Sequence, residues 1–135
     1  TRSGGAVVMD TGSPHYVVAH PALDDLDIVP EARKVRYSQT YRKDGINVNF
    51  SEIRDGQIFM RTYERGVEDE TLSCGTGTVA VALASALKDE ELQSPAVIHA
   101  PGGRLKVYFQ RIDKGFSDIW LEGPAELVFQ GEIGI

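Results

Sequence analysis

The feature that most constrains the fold is a charge-free stretch that runs from Val79 to Leu87 and is dominated by alanine, valine and leucine. Alanine and leucine favour helix, so the stretch predicts a helix from Thr76 to Lys88. A helix without a polar face must be covered on nearly all sides, and a curled sheet meets that requirement. The sequence therefore predicts an α+β domain in which a curved, mostly antiparallel β-sheet wraps around a central apolar helix.

Short apolar segments separated by turn residues fill most of the remaining chain and predict strands. The predicted strands are Ala6–Met9, Tyr16–His20, Ile46–Phe50, Gln57–Tyr63, Ala96–His99, Leu105–Gln110 and Asp118–Glu122. The strand from Ile46 alternates apolar and polar residues, as a half-buried strand does. The stretch Leu23–Ile28 predicts a short helix or loop. A second helix is expected from Pro30 to about Tyr41, because proline fits the first turn of a helix.

Length and charge limit the functions that this chain can have. The 135 residues fit a single domain, 1–135, and the net charge of -6 disfavours binding to a nucleic-acid backbone. Apolar runs stay well below the ~20 residues of a membrane span. A single cysteine gives no intrachain disulfide and favours a reducing, cytoplasmic compartment. The chain begins with Thr1 rather than methionine, so we expect a piece of a longer protein.

The only cysteine, Cys74, directly precedes the apolar helix and is followed by Gly75-Thr76-Gly77. A helix N-terminus favours a thiolate, and its N–H groups can bind a carboxylate. A lone cysteine is most often a buried apolar residue, and Ser73 or Thr76 fits an ordinary N-cap. The glycines and threonines crowded around the sulfur favour a reactive role.

Three further groups are candidates for chemistry: Glu64-Arg65, the turn around His15, and Asn47. Taken alone, each has an ordinary structural interpretation, as a solvated ion pair, a surface histidine and a solvent-facing amide. One cysteine and three scattered histidines lack the spacing of a zinc site, so no metal is predicted. A hydrolase triad lacks a histidine with a partner acid.

These groups recur together in a recognisable order. The runs are Gly12-Ser13-Pro14-His15, Asn47-Val48-Asn49-Phe50, Glu64-Arg65-Gly66, Thr71-Leu72-Ser73-Cys74-Gly75-Thr76-Gly77, Pro101-Gly102-Gly103 and Gly123-Pro124-Ala125. In this order and spacing the chain resembles the diaminopimelate epimerases almost from end to end. It resembles only the C-terminal half of such an enzyme.

The resemblance implies a fold and a mechanism. Members of the family have two similar domains, each a curved sheet around a helix, with the active site between them. They use neither pyridoxal phosphate nor a metal. One cysteine thiolate removes the α-proton of LL-diaminopimelate, and a second cysteine delivers a proton to the opposite face, giving the meso form used for lysine and peptidoglycan precursors. The implied partners are diaminopimelate, the missing N-terminal domain and a possible second copy in a homodimer.

The resemblance also implies roles at the reacting carbon. Cys74 would be one of the two acid/base cysteines. Gly75 and Thr76 would give their N–H groups to the reacting carboxylate, and His15 would orient the reacting centre.

At the distal end of the substrate, the resemblance implies that Glu64 binds the ammonium group and Arg65 the carboxylate. Asn47 would add a hydrogen bond, and Ser13 stands where the family more often has asparagine. The stretch from Arg65 to Cys74 is one residue longer than in many members. A second cysteine is absent from the sequence, so we expect the isolated chain to be inactive.

Two alternative functions remain. One is a related racemase or isomerase of the same fold, such as a proline-type racemase or a phenazine-pathway isomerase. The other is a half-domain that binds an amino acid or a partner protein without catalysis. Glu64 and Arg65 can recognise a distal zwitterion, which favours the epimerase.

Overall fold

A single curled sheet dominates the architecture. The structure, a computed structural model, describes residues 2–3, 5–72, 74–125 and 127–134. Within these ranges the chain forms nine strands and two α-helices. The strands are β1 (Arg2–Ser3), β2 (Ala6–Asp10), β3 (Pro14–Ala19), β4 (Asn47–Arg54), β5 (Gln57–Glu64), β6 (Asp69–Thr71), β7 (Ala96–Ala100), β8 (Gly103–Ile112) and β9 (Gly115–Glu122). The helices are α1 (Ile28–Arg36) and α2 (Gly75–Lys88).

The strand order of the sheet is β1-β2-β3-β4-β5-β7-β8-β9, and β6 pairs with β5 as a side branch. Two neighbouring pairs are parallel: β3 with β4, where His15 lies opposite Asn47, and β5 with β7, where Ile58 lies opposite Ile98. The remaining pairs are antiparallel. The predicted α+β domain with a mostly antiparallel sheet is confirmed.

Helix α2 is the centre of the main core. It contacts β2, β3, β4, β5, β7, β8 and β9, so the sheet surrounds it as its apolar sequence requires. Val81 is fully buried in the same cluster as Ile58, Ile98 and Val107. The helix begins at Gly75, one residue before the predicted start, and ends at Lys88 as predicted.

A second apolar cluster lies under α1. Val48 and Phe50 of β4 belong to it together with Ile28 and Ala32 of the helix. Pro30 lies in the first turn of α1 as predicted, and Leu23–Asp25 forms a short 3-10 helix.

The predicted end of α1 at Tyr41 is wrong. The helix ends at Arg36, because the next residues turn back on it: both the backbone N–H and the hydroxyl of Ser38 donate to the carbonyl of Val35.

Strand β4 also corrects the prediction of a half-buried strand. Val48 faces the second cluster, and the polar side chains between the apolar ones are buried as well. Asn47 is 3% exposed and Asn49 is 0% exposed. Buried amides must be hydrogen-bonded, and these two bind several residues of the neighbouring strands.

The remaining segments are short or irregular. Strands β1 and β6 were not predicted, since two or three residues are too few for a periodic pattern. After Glu122, residues 123–125 and 127–134 form no helix or strand. Neither helix in the described ranges has the length and apolar character needed to cross a membrane.

Candidate active site

The candidate site lies where three strand ends meet the start of α2. Strand β3 begins at Pro14 and the parallel β4 begins at Asn47, while the antiparallel β5 ends at Glu64. These three strand ends therefore lie side by side at one end of the sheet. Helix α2 starts at Gly75 on the same side, and the hydroxyl of Thr11 in the turn before β3 donates to the Thr76 carbonyl at 2.6 Å.

Cys74 is the N-cap residue of α2. Its backbone is extended (φ -144, ψ 117), and the first hydrogen bond of the helix runs from Thr78 N to Cys74 O at 2.8 Å. The Thr78 hydroxyl donates to the same carbonyl at 2.9 Å. The N–H groups of Gly75, Thr76 and Gly77 precede that first bond, so they are in position to bind an anion beside the half-buried thiol.

The expectation of an ordinary N-cap at Thr76 is wrong. Cys74 occupies that position without a side-chain capping bond, and Ser73, the other candidate, lies outside the described residues. The Thr76 hydroxyl instead lies 2.8 Å from His15 Nε2 and 3.5 Å from Cys74 Sγ. It therefore links the histidine to the sulfur.

His15 is completely buried and is held from its other side by Asn49. The distance from Asn49 Nδ2 to His15 Nδ1 is 2.9 Å, and the Thr62 hydroxyl donates to Asn49 Oδ1 at 2.8 Å. The sequence interpretation included His15 but missed Asn49 and Thr62. One sequence feature could have indicated Asn49: it is a second polar residue, two positions after Asn47 in the same strand.

Burial lowers the pKa of His15 to about 4. The Asp10 carboxylate opposes this effect, while the positive charge of Arg65 adds to it. The imidazole is therefore neutral at pH 7. A neutral imidazole has one N–H and one acceptor nitrogen, so it transmits the direction of a hydrogen bond from one side of the ring to the other.

Gly77 permits the close approach of α2 to this buried chain. A Cβ at this position would lie 2.9 Å from Asn49 Oδ1 and 3.0 Å from His15 Cε1. Both separations are shorter than ordinary contacts, so a larger residue would displace the helix or the polar side chains.

Asn47 connects the other predicted residues of the site. Its Nδ2 donates to Ser13 Oγ at 2.8 Å and to Pro14 O at 3.0 Å, and its Oδ1 accepts from Arg65 N at 2.8 Å. The structure therefore brings Ser13, Asn47 and Arg65 together at the strand ends. His15 lies opposite Asn47 in the parallel pair, which joins this group to the cysteine side.

Glu64 and Arg65 are half-buried at the end of β5. The Glu64 carboxylate accepts from the Thr71 hydroxyl at 3.2 Å, and Arg65 Nη1 donates to the Asp44 carbonyl at 3.1 Å. Gly45 lies against the stem of Arg65, and its positive φ of 81° is one that glycine adopts without strain. The two charged groups do not pair with each other, so the alternative interpretation as a solvated ion pair is wrong.

The loop after Arg65 is held by a residue that sequence reasoning missed, Glu68. Its carboxylate accepts from Gly66 N, Arg36, Tyr37 and Tyr63. Burial by itself would raise the pKa of Glu68, but these hydrogen bonds lower it to about 2. Glu68 therefore stays ionised and fixes the loop after Arg65 to α1.

The comparisons with known proteins identify the family. The family model described as diaminopimelate epimerase matches residues 7–128. Two relatives carry the same name: one from Flavobacterium psychrophilum is 44% identical over 94% of this chain, and one from Chlorobaculum tepidum is 43% identical over 93%. The chain belongs to the diaminopimelate epimerase family.

The chain spans about half the length of these diaminopimelate epimerases, 50% of the Flavobacterium psychrophilum protein and 48% of the Chlorobaculum tepidum protein. A relative from Archaeoglobus fulgidus is 45% identical over 90% of this chain and 41% of its own length. Each of these relatives therefore contains a further stretch of chain at least about as long as the one described here.

Solved structures share the fold of this chain. A putative phenazine biosynthesis PhzC/PhzF protein from Clostridium difficile matches with a TM-score of 0.54 and 18% identity, over 72% of this chain and 34% of that protein. A PhzF-family phenazine biosynthesis protein from Bacillus anthracis matches with a TM-score of 0.52 and 19% identity, over 83% and 34%. At such low identity the similarity concerns the fold alone.

Proposed function

We propose that this chain is the C-terminal half of a cytoplasmic diaminopimelate epimerase and supplies one of its two acid/base cysteines, Cys74. The observation that carries the proposal is the position of the thiol at the first turn of α2, next to N–H groups that precede the first helical hydrogen bond. The family match and the half-length of the chain support it. In this proposal the reaction uses neither pyridoxal phosphate nor a metal.

The proposed step at Cys74 is a proton transfer. The thiolate takes the α-proton, so that the Cα–H bond breaks, an S–H bond forms, and the electron pair moves into the adjacent carboxylate. The N–H groups of Gly75 and Thr76 and the dipole of α2 stabilise that developing negative charge. A thiol from the N-terminal half then returns a proton to the opposite face, which inverts the carbon. For the other stereoisomer the two cysteines exchange roles.

The distal end of the substrate would be recognised by Glu64 and Arg65. Glu64 would bind the ammonium group, and Arg65 would bind the carboxylate through two parallel hydrogen bonds. Both Asn47 amide hydrogens already donate within the protein, so a hydrogen bond from Asn47 to substrate would replace the one to Ser13. Because Ser13 accepts a hydrogen bond from Asn47, we propose that Ser13 also lies next to the substrate.

The test is reconstitution. The chain would be mixed with, or fused to, the complementary half of the Flavobacterium psychrophilum relative, and α-hydrogen exchange of diaminopimelate in deuterated water would be followed by mass spectrometry. We expect no measurable exchange with the chain alone, because the N-terminal half, with its own substrate contacts and the second thiol, is missing. Exchange should appear with both halves.

The cysteine variants provide the control. In the reconstituted enzyme, Cys74→Ala should abolish interconversion of the LL and meso forms, and Cys74→Ser should leave a trace, since a hydroxyl is a far weaker acid than a thiol. Epimerisation by the chain alone, or full activity with Cys74→Ala, would show that the two-cysteine proposal is wrong. Exchange of a different amino acid in preference to diaminopimelate would favour the related-racemase alternative.

A further inference from the structure

A continuous row of hydrogen-bonding groups leads from the interior of the sheet to the thiol. Thr62 Oγ1 lies 2.8 Å from Asn49 Oδ1, and Asn49 Nδ2 lies 2.9 Å from His15 Nδ1. His15 Nε2 lies 2.8 Å from Thr76 Oγ1, which is 3.5 Å from Cys74 Sγ. The first three residues are at most 2% exposed, so these groups satisfy one another in the interior.

The orientation of the Asn49 amide fixes the direction of this row. The amide group that faces the backbone carbonyl of Tyr16 at 3.2 Å must be the NH₂, because a carbonyl oxygen can only accept. The Asn49 oxygen then faces the Thr62 hydroxyl, which donates to it. Both anchors of the amide are independent of His15.

The amide in turn determines which nitrogen of His15 carries the proton. One Asn49 hydrogen goes to Tyr16 and the other to His15 Nδ1, so Nδ1 must be an unprotonated acceptor. The charged groups that act on this ring are Asp10 and Arg65, and burial keeps the pKa of His15 low enough for the neutral form at pH 7. The single ring proton is therefore on Nε2, which donates to the Thr76 hydroxyl.

With its oxygen lone pair engaged by Nε2–H, the Thr76 hydroxyl has its own hydrogen left to donate, and Cys74 Sγ is the acceptor within reach. We infer that Asn49, anchored by Thr62 and Tyr16, is a positioning residue that places the proton on His15 Nε2 and thereby directs the Thr76 hydroxyl hydrogen toward Cys74 Sγ. The inference rests on the proposed function only where it treats Cys74 as the acid/base group.

The consequence concerns the charged form of the sulfur. A hydrogen bond to an ionised acceptor is stronger than one to a neutral acceptor, so donation from Thr76 favours the thiolate over the thiol. If the proton were on Nδ1 instead, Nε2 would accept from Thr76 and the hydroxyl hydrogen would turn away from the sulfur. The orientation of a buried amide thus controls how readily Cys74 becomes a base.

The tautomer can be observed directly on the wild-type chain. Long-range ¹H–¹⁵N spectra of uniformly labelled protein at pH 7 should show His15 with a protonated Nε2 and an unprotonated Nδ1. Thr62→Val removes one anchor of the amide while keeping the side-chain volume, so it should introduce the other tautomer. Thr62→Ser keeps the hydroxyl and should preserve the wild-type pattern. A protonated Nδ1 in the wild-type chain would overturn the inference.

The effect on the sulfur is tested by alkylation of Cys74 with iodoacetamide, which reports the thiolate. Asn49→Leu should slow alkylation at pH 7 by about three- to tenfold, the effect expected from weakening one hydrogen bond to a charged group. Thr76→Val should slow it at least as much. In the Thr76→Val background, adding Asn49→Leu should have no further effect, because the hydroxyl through which Asn49 acts is gone.

The outcomes separate this inference from the proposed function. Equal slowing by Asn49→Leu in both backgrounds, or no slowing in either, would overturn the role of Asn49. Circular dichroism melts show whether each variant is folded, and Thr62→Val serves the same alkylation test if Asn49→Leu does not fold. Neither measurement uses diaminopimelate, so failure of the reconstituted enzyme leaves these results unaffected, and the reverse also holds.

Discussion

At the scale of single residues, Gly77 sets how closely helix and sheet approach at the site. A Cβ there would lie 2.9 Å from Asn49 Oδ1, an atom that is itself held by Thr62. Asn49 and His15, the side chains next to Gly77, are held by hydrogen bonds on both sides, so they cannot move away without breaking those bonds. The residue is therefore required by packing rather than by an unusual backbone conformation.

The corresponding prediction is that Gly77→Ala destabilises the chain by about 1–3 kcal/mol, although alanine favours helix. Urea unfolding followed by circular dichroism measures the change. Gly75→Ala is the matched control in the same helical turn, because its Cβ would meet Leu121 at an ordinary 3.4 Å. Equal stability of the two variants would contradict the packing argument.

His15 predicts a pH dependence of stability. Its pKa is lowered from 6.5 to about 4, so the unfolded chain takes up the proton first as the pH falls. The stabilisation is fully present above pH 6.5 and is lost between pH 6.5 and 4, by about 3 kcal/mol. His15→Gln should lack this part of the pH dependence. Parallel urea titrations of both proteins test it, and an unchanged slope for the variant would refute it.

The sequence revealed the site residues that stand in short local runs, such as Cys74-Gly75-Thr76 and Glu64-Arg65. It did not reveal Asn49 and Thr62, whose partners lie 34 and 13 residues away in the chain. Their roles arise from the parallel pairing of β3 with β4 and the antiparallel pairing of β4 with β5. Periodicity indicates a strand but does not state its neighbours or its register.

At the scale of elements, the loop between β5 and β6 is fixed by one carboxylate. Glu68 has a positive φ of 59° and accepts hydrogen bonds from Arg36 and Tyr37 at the end of α1. The loop carries Arg65, the residue proposed to bind the distal carboxylate. Helix α1 thus braces the distal part of the site although it contributes no proposed site residue.

Glu68→Gln should destabilise the chain at pH 7 by about 1 kcal/mol, because the hydrogen bonds to a charged acceptor are weakened. The pKa of Glu68 is lowered from 4.5 to about 2, so its stabilisation is present above pH 4.5 and is lost as the pH falls toward 2. The difference between wild type and variant should shrink over that range. Glu31→Gln, at an exposed pair with Lys34, is the control and should change little.

At the scale of the whole molecule, the buried helix α2 carries the main core. Leu83 is 6% exposed and Leu87 of the same helix is 44% exposed. Leu83→Ala should cost about 2–5 kcal/mol, and Leu87→Ala less than about 1 kcal/mol. Denaturant unfolding of both variants checks the contrast. A similar loss for both would mean that the helix is not the centre of a packed core.

The general architecture could be predicted because the apolar helix from Val79 to Leu87 permits few arrangements. The end of α1 was placed too late, because the turn at Ser38 depends on its side-chain bond to Val35 rather than on composition. The half-buried interpretation of β4 failed for a different reason. Asn47 and Asn49 look solvent-exposed in a periodic pattern, and only the surrounding strands and helix show that they are enclosed.

The buried polar row has a consequence for folding. A one-residue slip of β4 against its neighbours would bring Val48 toward His15 and turn Asn49 to the apolar face that α1 covers. Imidazole, amide and threonine hydroxyl would then be stranded without partners, at a cost of about 1–3 kcal/mol for each. The row therefore disfavours sheets in which β4 is out of register. The groups that act on the thiol also favour the correct strand pairing while the chain is folding.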